Sequence, residues 1–429
     1  MENESFRPAD PITRANFNHL YADIAWFGLL AGSTMAFIAI YAARLGATSF
    51  DVGLLTAGPA VVNLLFSLPF GRWLESRPLI RVSYLTSILH RLGYVALVFL
   101  PALLVERAQV HGIILIALAT AIPGTLLAIS FNALIADLVP PAWRAHVVGR
   151  RNAIIAVLMT LTSLACGVIL DRVTYPLNYQ IVFAIGGFGA LMSSYHVGKL
   201  RKESEIPPRV GSPLGDLAWP GLLRFADALR NPGLRFLTRS KGKPLLRLDV
   251  LKGSFGAFML AYFAFYMVQY IPLPLFPLYN VNVLGLTDGE ISLGSALFYG
   301  MMMVFSFGLG RFSARFGHRR LLVFAAFVFG GYPLLLYLAR DAILYWAASI
   351  LGGLVWGLLN GALVNRLMER VPEGDRPAHM AIHNLALNLG ILAGSMMGPA
   401  IGEWIGLRDA LLVSGGLRIL GAVLLSIFG

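Results

Sequence analysis

Leu45-Gly46-Ala47-Thr48-Ser49-Phe50-Asp51 is answered 239 residues later by Leu284-Gly285-Leu286-Thr287-Asp288-Gly289-Glu290. The echo continues at the same offset. Gly71-Arg72-Trp73 matches Gly310-Arg311-Phe312, and Arg81 matches Arg320. Further on the offset becomes 232. Asp137 then matches Glu369, Val139-Pro140 matches Val371-Pro372, Arg144 matches Arg376, Asn152 matches Asn384 and Asp171 matches Glu403. Two near-equal offsets carried over so much chain indicate an internal duplication.

The material that repeats is apolar. Of 429 residues 57% are apolar and 13% charged, with mean hydropathy +0.71. A soluble chain is about a quarter charged, so a cytosolic, disordered or disulfide-built protein is excluded. Long apolar runs fall at 22–44, 52–74, 80–104, 111–138, 149–171 and 177–198. Six more follow at 252–280, 290–313, 320–339, 342–368, 378–402 and 405–428. A spanning helix needs about 20 apolar residues, and unbroken runs exclude an alternating β-barrel pattern. The expected fold class is all-α integral membrane, with twelve transmembrane helices in two six-helix bundles related by a pseudo-two-fold axis. The domains read as 1–198, a linker 199–251, and 252–429.

Placing the N-terminus inside puts twenty-seven Lys/Arg on cytoplasmic segments and five on outer ones. Both termini are therefore expected in the cytoplasm, across a plasma (bacterial inner) membrane. The net charge of +12 then reflects cytoplasmic loops rather than a nucleic-acid partner. In the linker, Trp219, Leu222, Leu223, Ala226 and Leu229 recur at helical spacing, with Arg224, Asp227 and Arg230 opposite. This reads as an amphipathic helix on anionic lipid or as a plain tether. The one cysteine, Cys166, reads as a small core residue. The polar first twenty residues carry no cleavable signal pattern.

Twelve spans, a six-plus-six duplication and a long basic central loop resemble the major facilitator superfamily over nearly the whole chain. That family's loop after helix 2 reads Gly-x-x-x-Asp-Arg-x-Gly-Arg-Lys. Here Gly71 and an acid, Glu75, are kept, Ser76 and Pro78 depart from the pattern, and Arg81 closes the loop. The second copy keeps Gly310, Arg315, Gly317 and Arg320, and has Ala314 at the acid position. The resemblance implies alternating access, with these loops as gates. Glu75 and Asp137, with Arg81, Arg144, Arg150 or Arg151, are the expected cytoplasmic gate of the N-half. In span 11, Ala386, Gly390, Gly394, Gly398 and Gly402 with Pro399 make a small-residue face. It is similar to the family's antiporter signature but sits in span 11 and not span 5, and close packing explains it equally.

Ionisable residues within spans are functional candidates. Asp23 opens the apolar run of span 1, where dipole logic accounts for it and a coupling role is the sharper reading. Arg91 and Arg418 stand near the middle of spans 3 and 12. The resemblance makes those spans outer supports, so either arginine is structural or a ligand contact, with Arg91 the coupling candidate. Span 7 offers Tyr262, Tyr266, Gln269 and Tyr270 on one helical face, and Pro272, Pro274 and Pro277 break its outer end. Phe37 and Ser33 on span 1, Asn132 on span 4, and Trp356 and Asn360 on span 10 complete the candidate lining. No zinc spacing, nucleotide loop or catalytic triad is present, so no enzyme, metal or cofactor is expected.

The expected function is a secondary active or facilitative transporter of a small organic, neutral or amphiphilic solute. Aromatic faces with few directional polar groups suit lipophilic compounds, which leans slightly toward a drug-efflux-like role. Sugar or nutrient uptake and a transport-dead, lipid-binding membrane protein are the alternatives. Neutral cargo follows from the lack of Lys or Arg at mid-depth on spans 1, 4, 7 and 10. A monomer is expected, with the bilayer and its solute as partners.

Overall fold

The computed structural model describes residues 10–75, 77–202, 239–240, 243–244, 247–372 and 375–429. The linker helix expected around Trp219 to Leu229 lies outside the described residues. The N-half holds α1 (Pro11–Arg44), α2 (Ser49–Leu74), α3 (Leu79–Leu97), α4 (Glu106–Leu138), α5 (Pro141–Arg172) and α6 (Leu177–Gly198). The C-half holds α7 (Ser254–Val283), α8 (Asp288–Phe316), α9 (His318–Leu338), α10 (Ala342–Arg370), α11 (Arg376–Ile405) and α12 (Leu407–Phe428). Among the described residues eleven helices are long and apolar enough to cross a membrane. The twelfth, α3, is shorter and carries Arg81, His90 and Arg91.

The duplicated heptapeptides build the same local structure. Thr48 and Thr287 cap α2 and α8, each accepting the N3 backbone N–H, while Asp51 and Glu290 accept back from the capping residue. This reciprocal box satisfies two orphan donors at each helix start. Gly46 at φ +78° and Gly285 at φ +63° supply the left-handed turn before each cap. The packing is duplicated too. In the N-half α1 lies on α5 and α6, α2 on α4, and α3 on α4 and α6. In the C-half α7 lies on α11 and α12, α8 on α10, and α9 on α10 and α12. The two most extensive contacts between halves, α5 on α8 and α11 on α2, exchange under the same operation. That is a pseudo-two-fold axis.

The helices alternate between two ends. One holds the α1–α2 and α7–α8 turns, the turn end. The other holds α1's start and α12's finish, the termini end. Among the described residues the hydrogen bonds and ion pairs between halves cluster at the turn end. Arg44 Nη2 meets Asp288 Oδ1 at 3.1 Å and donates to Leu286 O at 2.6 Å. Tyr179 Oη donates to Asp288 Oδ2 at 3.0 Å. The Gly289 N–H at the start of α8 donates to Asp171 Oδ1 at 3.0 Å, where the helix dipole also favours an anion. Ser292 Oγ donates to Ser163 O at 2.5 Å. Along α8 the buried residues are Asp288, Ile291, Ser292, Gly294 and Ala296, and then Ser313 alone. Among the described residues the halves therefore close together at the turn end, and α8 is mostly exposed or half-buried toward the termini end.

One sequence expectation changes. The first helix begins at Pro11, capped by Asp10, eleven residues before the apolar run. Polar Asn16 and His19 are held there by Arg201 and His196, so hydropathy alone misplaced its start. Asp23 consequently sits a third of the way along α1. The small face of α11 packs within its own half: a Cβ on Gly394 would collide with Met267 O, and one on Gly398 with Ile271 O.

Candidate substrate-binding site

The break in α7 organises the site. Regular helix runs Ser254–Tyr270, lapses across Ile271 to Pro274, and resumes at Leu275–Leu278 and Tyr279–Val283. Three prolines in six residues remove N–H donors and leave carbonyls of the first segment without helical partners. One of these, Gln269 O, accepts from Arg418 Nη2 at 2.7 Å. α12 approaches α7 closely at Gly421, where an added Cβ would collide with Val268, and this brings Arg418 within reach.

Beside this arginine lies a cavity of about 360 Å³. α7 contributes Gln269, Tyr270, Leu273 and Phe276, and α8 contributes Gly294, Ser295, Phe298 and Tyr299. Phe329 and Tyr332 come from α9, Tyr345, Ser349 and Trp356 from α10, and Arg418 from α12. The volume suits a small organic molecule. Its walls are mainly aromatic: Trp356 stacks on Phe329 at 5.5 Å between centroids, and Arg418 lies 4.4 Å over the Phe329 ring. Arg418 is 2% exposed and Gln269 is 7% exposed. Arg418 Nε and Gln269 Oε1 are buried without hydrogen-bond partners. No ion pair forms on Arg418 among the described residues.

The N-half buries arginine differently. Asp23 (3% exposed) meets Arg91 Nη2 at 3.5 Å and Arg151 Nη2 at 3.2 Å, and accepts from Ser193 Oγ at 2.5 Å. Arg151 also donates to Leu20 O at 2.9 Å. Arg91 Nη1 reaches Ser87 Oγ at 2.5 Å and Ser194 Oγ at 3.1 Å. Four helices, α1, α3, α5 and α6, are tied by one carboxylate.

Helices packed in this arrangement have known counterparts. Residues 258–429 match the family description "Major Facilitator Superfamily". Over that stretch the sequence is similar to this superfamily. A bacterial homologue of the iron transporter ferroportin, in an inward-facing state, superposes with TM-score 0.69 at 14% identity, covering 98% of this chain and 99% of that one. A mutant of the nucleoside transporter NupG gives 0.67 at 12% identity, covering 96% and 99%. A D-xylose-proton symporter gives 0.66 at 15% identity, covering 97% of each. No curated protein sequence matches the chain. The resemblance drawn from the duplicated loops holds, and the chain is a multi-pass membrane protein with a transporter fold.

Within that fold the predicted lining residues separate. Gln269, Tyr270 and Trp356 line the cavity. Tyr262 is fully buried and donates to Leu363 O at 3.0 Å. Tyr266 pairs with His383 Nε2 at 2.9 Å. Both side chains bind α7 to its neighbours instead of lining the cavity. Phe37 lies in the apolar core of the turn end, and Ser33 Oγ returns to Leu29 O. Asn132 and Asn360 are exposed and away from the cavity. Of the four residues that share this face of α7, two are taken up in packing and two border the void. Tyr332, Phe329, Phe298 and Tyr345 were not singled out, because an aromatic residue in an apolar run gives no sign of which side it faces.

The gate candidates are dispersed in this conformation. Asp137 pairs with Lys202 at 2.5 Å, not with Arg144, Arg150 or Arg151. Arg144 caps α4 through Ala136 O and Val139 O. Arg150 lies 4.7 Å over Tyr21, and Arg151 is taken by Asp23. Glu75, Arg81 and Arg320 are exposed, and Arg315 lies over Phe316. Close approach does not explain Gly71 or Gly310, whose Cβ positions meet open space. Gly317, at φ +77°, is required by its backbone as the stop of α8.

Proposed function

We propose that this chain carries a small organic solute across the membrane by alternating access, and that the structure is its state open toward the termini end. The observation that carries this is the one-sided closure: Arg44–Asp288, Tyr179–Asp288 and Asp171–α8 join the halves at the turn end beside a cavity at mid-depth. A broken helix at the site is how secondary transporters place polar groups within a bilayer. With Lys and Arg concentrated on the termini-end segments, that end faces the cytoplasm of a plasma membrane, and the state is inward-facing. The ferroportin homologue with which it superposes was solved in such a state.

The test uses a crosslink across the closed end. Ser163→Cys with Ser292→Cys, in a Cys166→Ala background, bridges α5 and α8 where they touch. A thermal-shift panel of nucleosides, pentoses, hexoses, aromatic acids and lipophilic cations selects a ligand by mass action, and its flux is measured in proteoliposomes. Oxidation is expected to stop flux and reduction to restore it. Flux unaffected by the crosslink defeats alternating access, and a ligand that binds but never crosses defeats transport itself.

A further inference from the structure

Arg418 has a structural duty, capping the broken end of α7, but that duty uses little of it. A guanidinium carries five N–H donors. Nη2 donates to Gln269 O at 2.7 Å and Nη1 to Phe329 O at 3.5 Å. Three donors remain, including the Nε–H, which is buried with no partner. A buried cation normally meets a carboxylate, because leaving water without a counter-charge is costly. Here the surroundings offer two carbonyls and the faces of Phe329 and Phe276, at 4.4 and 6.0 Å. The side chain is nine-tenths buried and borders a 360 Å³ cavity.

We propose that the C-half cavity binds an aromatic or amphiphilic organic monoanion whose acid group sits on the free donors of Arg418. The charge count sets the valence: one cation and no acid line the cavity, so one negative charge is neutralised and a second is not. The planar fork matches a carboxylate. Tyr270, Phe276, Tyr299, Tyr332 and Trp356 give the remainder of the solute flat apolar walls. Gln269 Oε1, unpartnered at the same wall, accepts from a hydroxyl or N–H on the solute. This replaces the neutral cargo expected from the sequence. That expectation searched spans 1, 4, 7 and 10 for a cation, whereas this one enters from α12 through the gap in α7.

The inference rests on the transporter reading and is tested apart from it. Purified protein in nanodiscs is titrated with benzoate, phenylacetate and 3-phenylpropionate, each against its uncharged amide, with benzenesulfonate and phenyl phosphate to compare acid groups. Acids are expected to raise the melting temperature and amides not to. Arg418→Gln is expected to weaken the acids by about tenfold to a hundredfold, the usual range for a hydrogen bond to a charged group, and Arg418→Lys to recover part of that. Amides that bind as well as acids, no acid bound at all, or full acid affinity in Arg418→Gln would overturn the proposal. Should Arg418→Gln not fold, the acid–amide comparison on the wild type still decides. Acids that bind but show no flux in proteoliposomes leave this site standing and remove transport. Flux of an uncharged solute without acid binding does the reverse.

Discussion

Both halves of the molecule bury arginine at depth, and they neutralise it differently. In the N-half Arg91 and Arg151 converge on Asp23, with Ser87, Ser193 and Ser194 completing the shell. In the C-half Arg418 has backbone carbonyls, aromatic faces and a cavity. The helix contacts around the two sites are related by the same two-fold, so the scaffold does not account for the contrast. The internal symmetry supplies the positions, and the charges placed on them give the halves different duties. A carboxylate between two guanidiniums ties helices together. A guanidinium beside a void leaves its charge available.

The strongest way to break this comparison is Asp23→Ala. Removing the one carboxylate leaves two buried guanidiniums uncompensated, a type of change that costs about 3–5 kcal/mol. The expected result is collapse of monodisperse yield in detergent and a large fall in melting temperature. Asp23→Asn combined with Arg151→Gln should recover part of the loss, since fewer charges are then orphaned. A melting temperature for Asp23→Ala close to wild type would mean that the N-half cluster is not glue.

A smaller effect is expected at the turn end, where charge joins halves instead of helices within one. Asp288 holds Arg44 and the Tyr179 hydroxyl, and the pair is partly exposed, so its contribution is modest. Asp288→Asn should leave the fold intact and favour opening of the turn end. A change of about 1.4 kcal/mol is tenfold in an equilibrium constant, so a several-fold rise in labelling of Ser292→Cys from that side is the readout. Unchanged labelling would show that α5–α8 and α2–α11 packing alone hold the end shut.

How much of this the sequence disclosed follows from what hydropathy and spacing record. The fold was legible because a duplication leaves matched punctuation, and Gly46-Ala47-Thr48 with Asp51 and Gly285-Leu286-Thr287 with Glu290 fold into identical caps. The break in α7 was legible from Pro272, Pro274 and Pro277, since a missing N–H is a local fact. The lining was half legible. Helical spacing grouped Tyr262, Tyr266, Gln269 and Tyr270, but only contact with α10 and α11 shows that the first two are packing. The partners of Asp23 were not legible: they lie 68, 128 and 170 residues away on three other helices. Arg418 was visible as a mid-span charge, yet its access to the cavity depends on a gap in another helix.

The smallest expected effect is the most informative about the contrast. Arg418→Met removes a buried charge that no carboxylate answers, so nothing ionic is orphaned. The cost is the Gln269 carbonyl at the α7 break, which loses its donor, and the stacking on Phe329. The gain is relief from burying an unneutralised cation, and replacing buried ions by apolar residues of similar volume is often neutral or stabilising. These terms oppose each other, and the unliganded variant is expected to lie within about 1 kcal/mol of wild type, the size of a single net hydrogen bond. Equilibrium unfolding or thermal melting of the purified proteins, with no added solute, measures it. A loss comparable to that of Asp23→Ala would make Arg418 a structural keystone like its N-half counterparts, and the two halves would then bury charge for the same purpose. A near-neutral outcome leaves a cation that the fold itself does not need, held against a cavity, and so a charge kept for something that enters it.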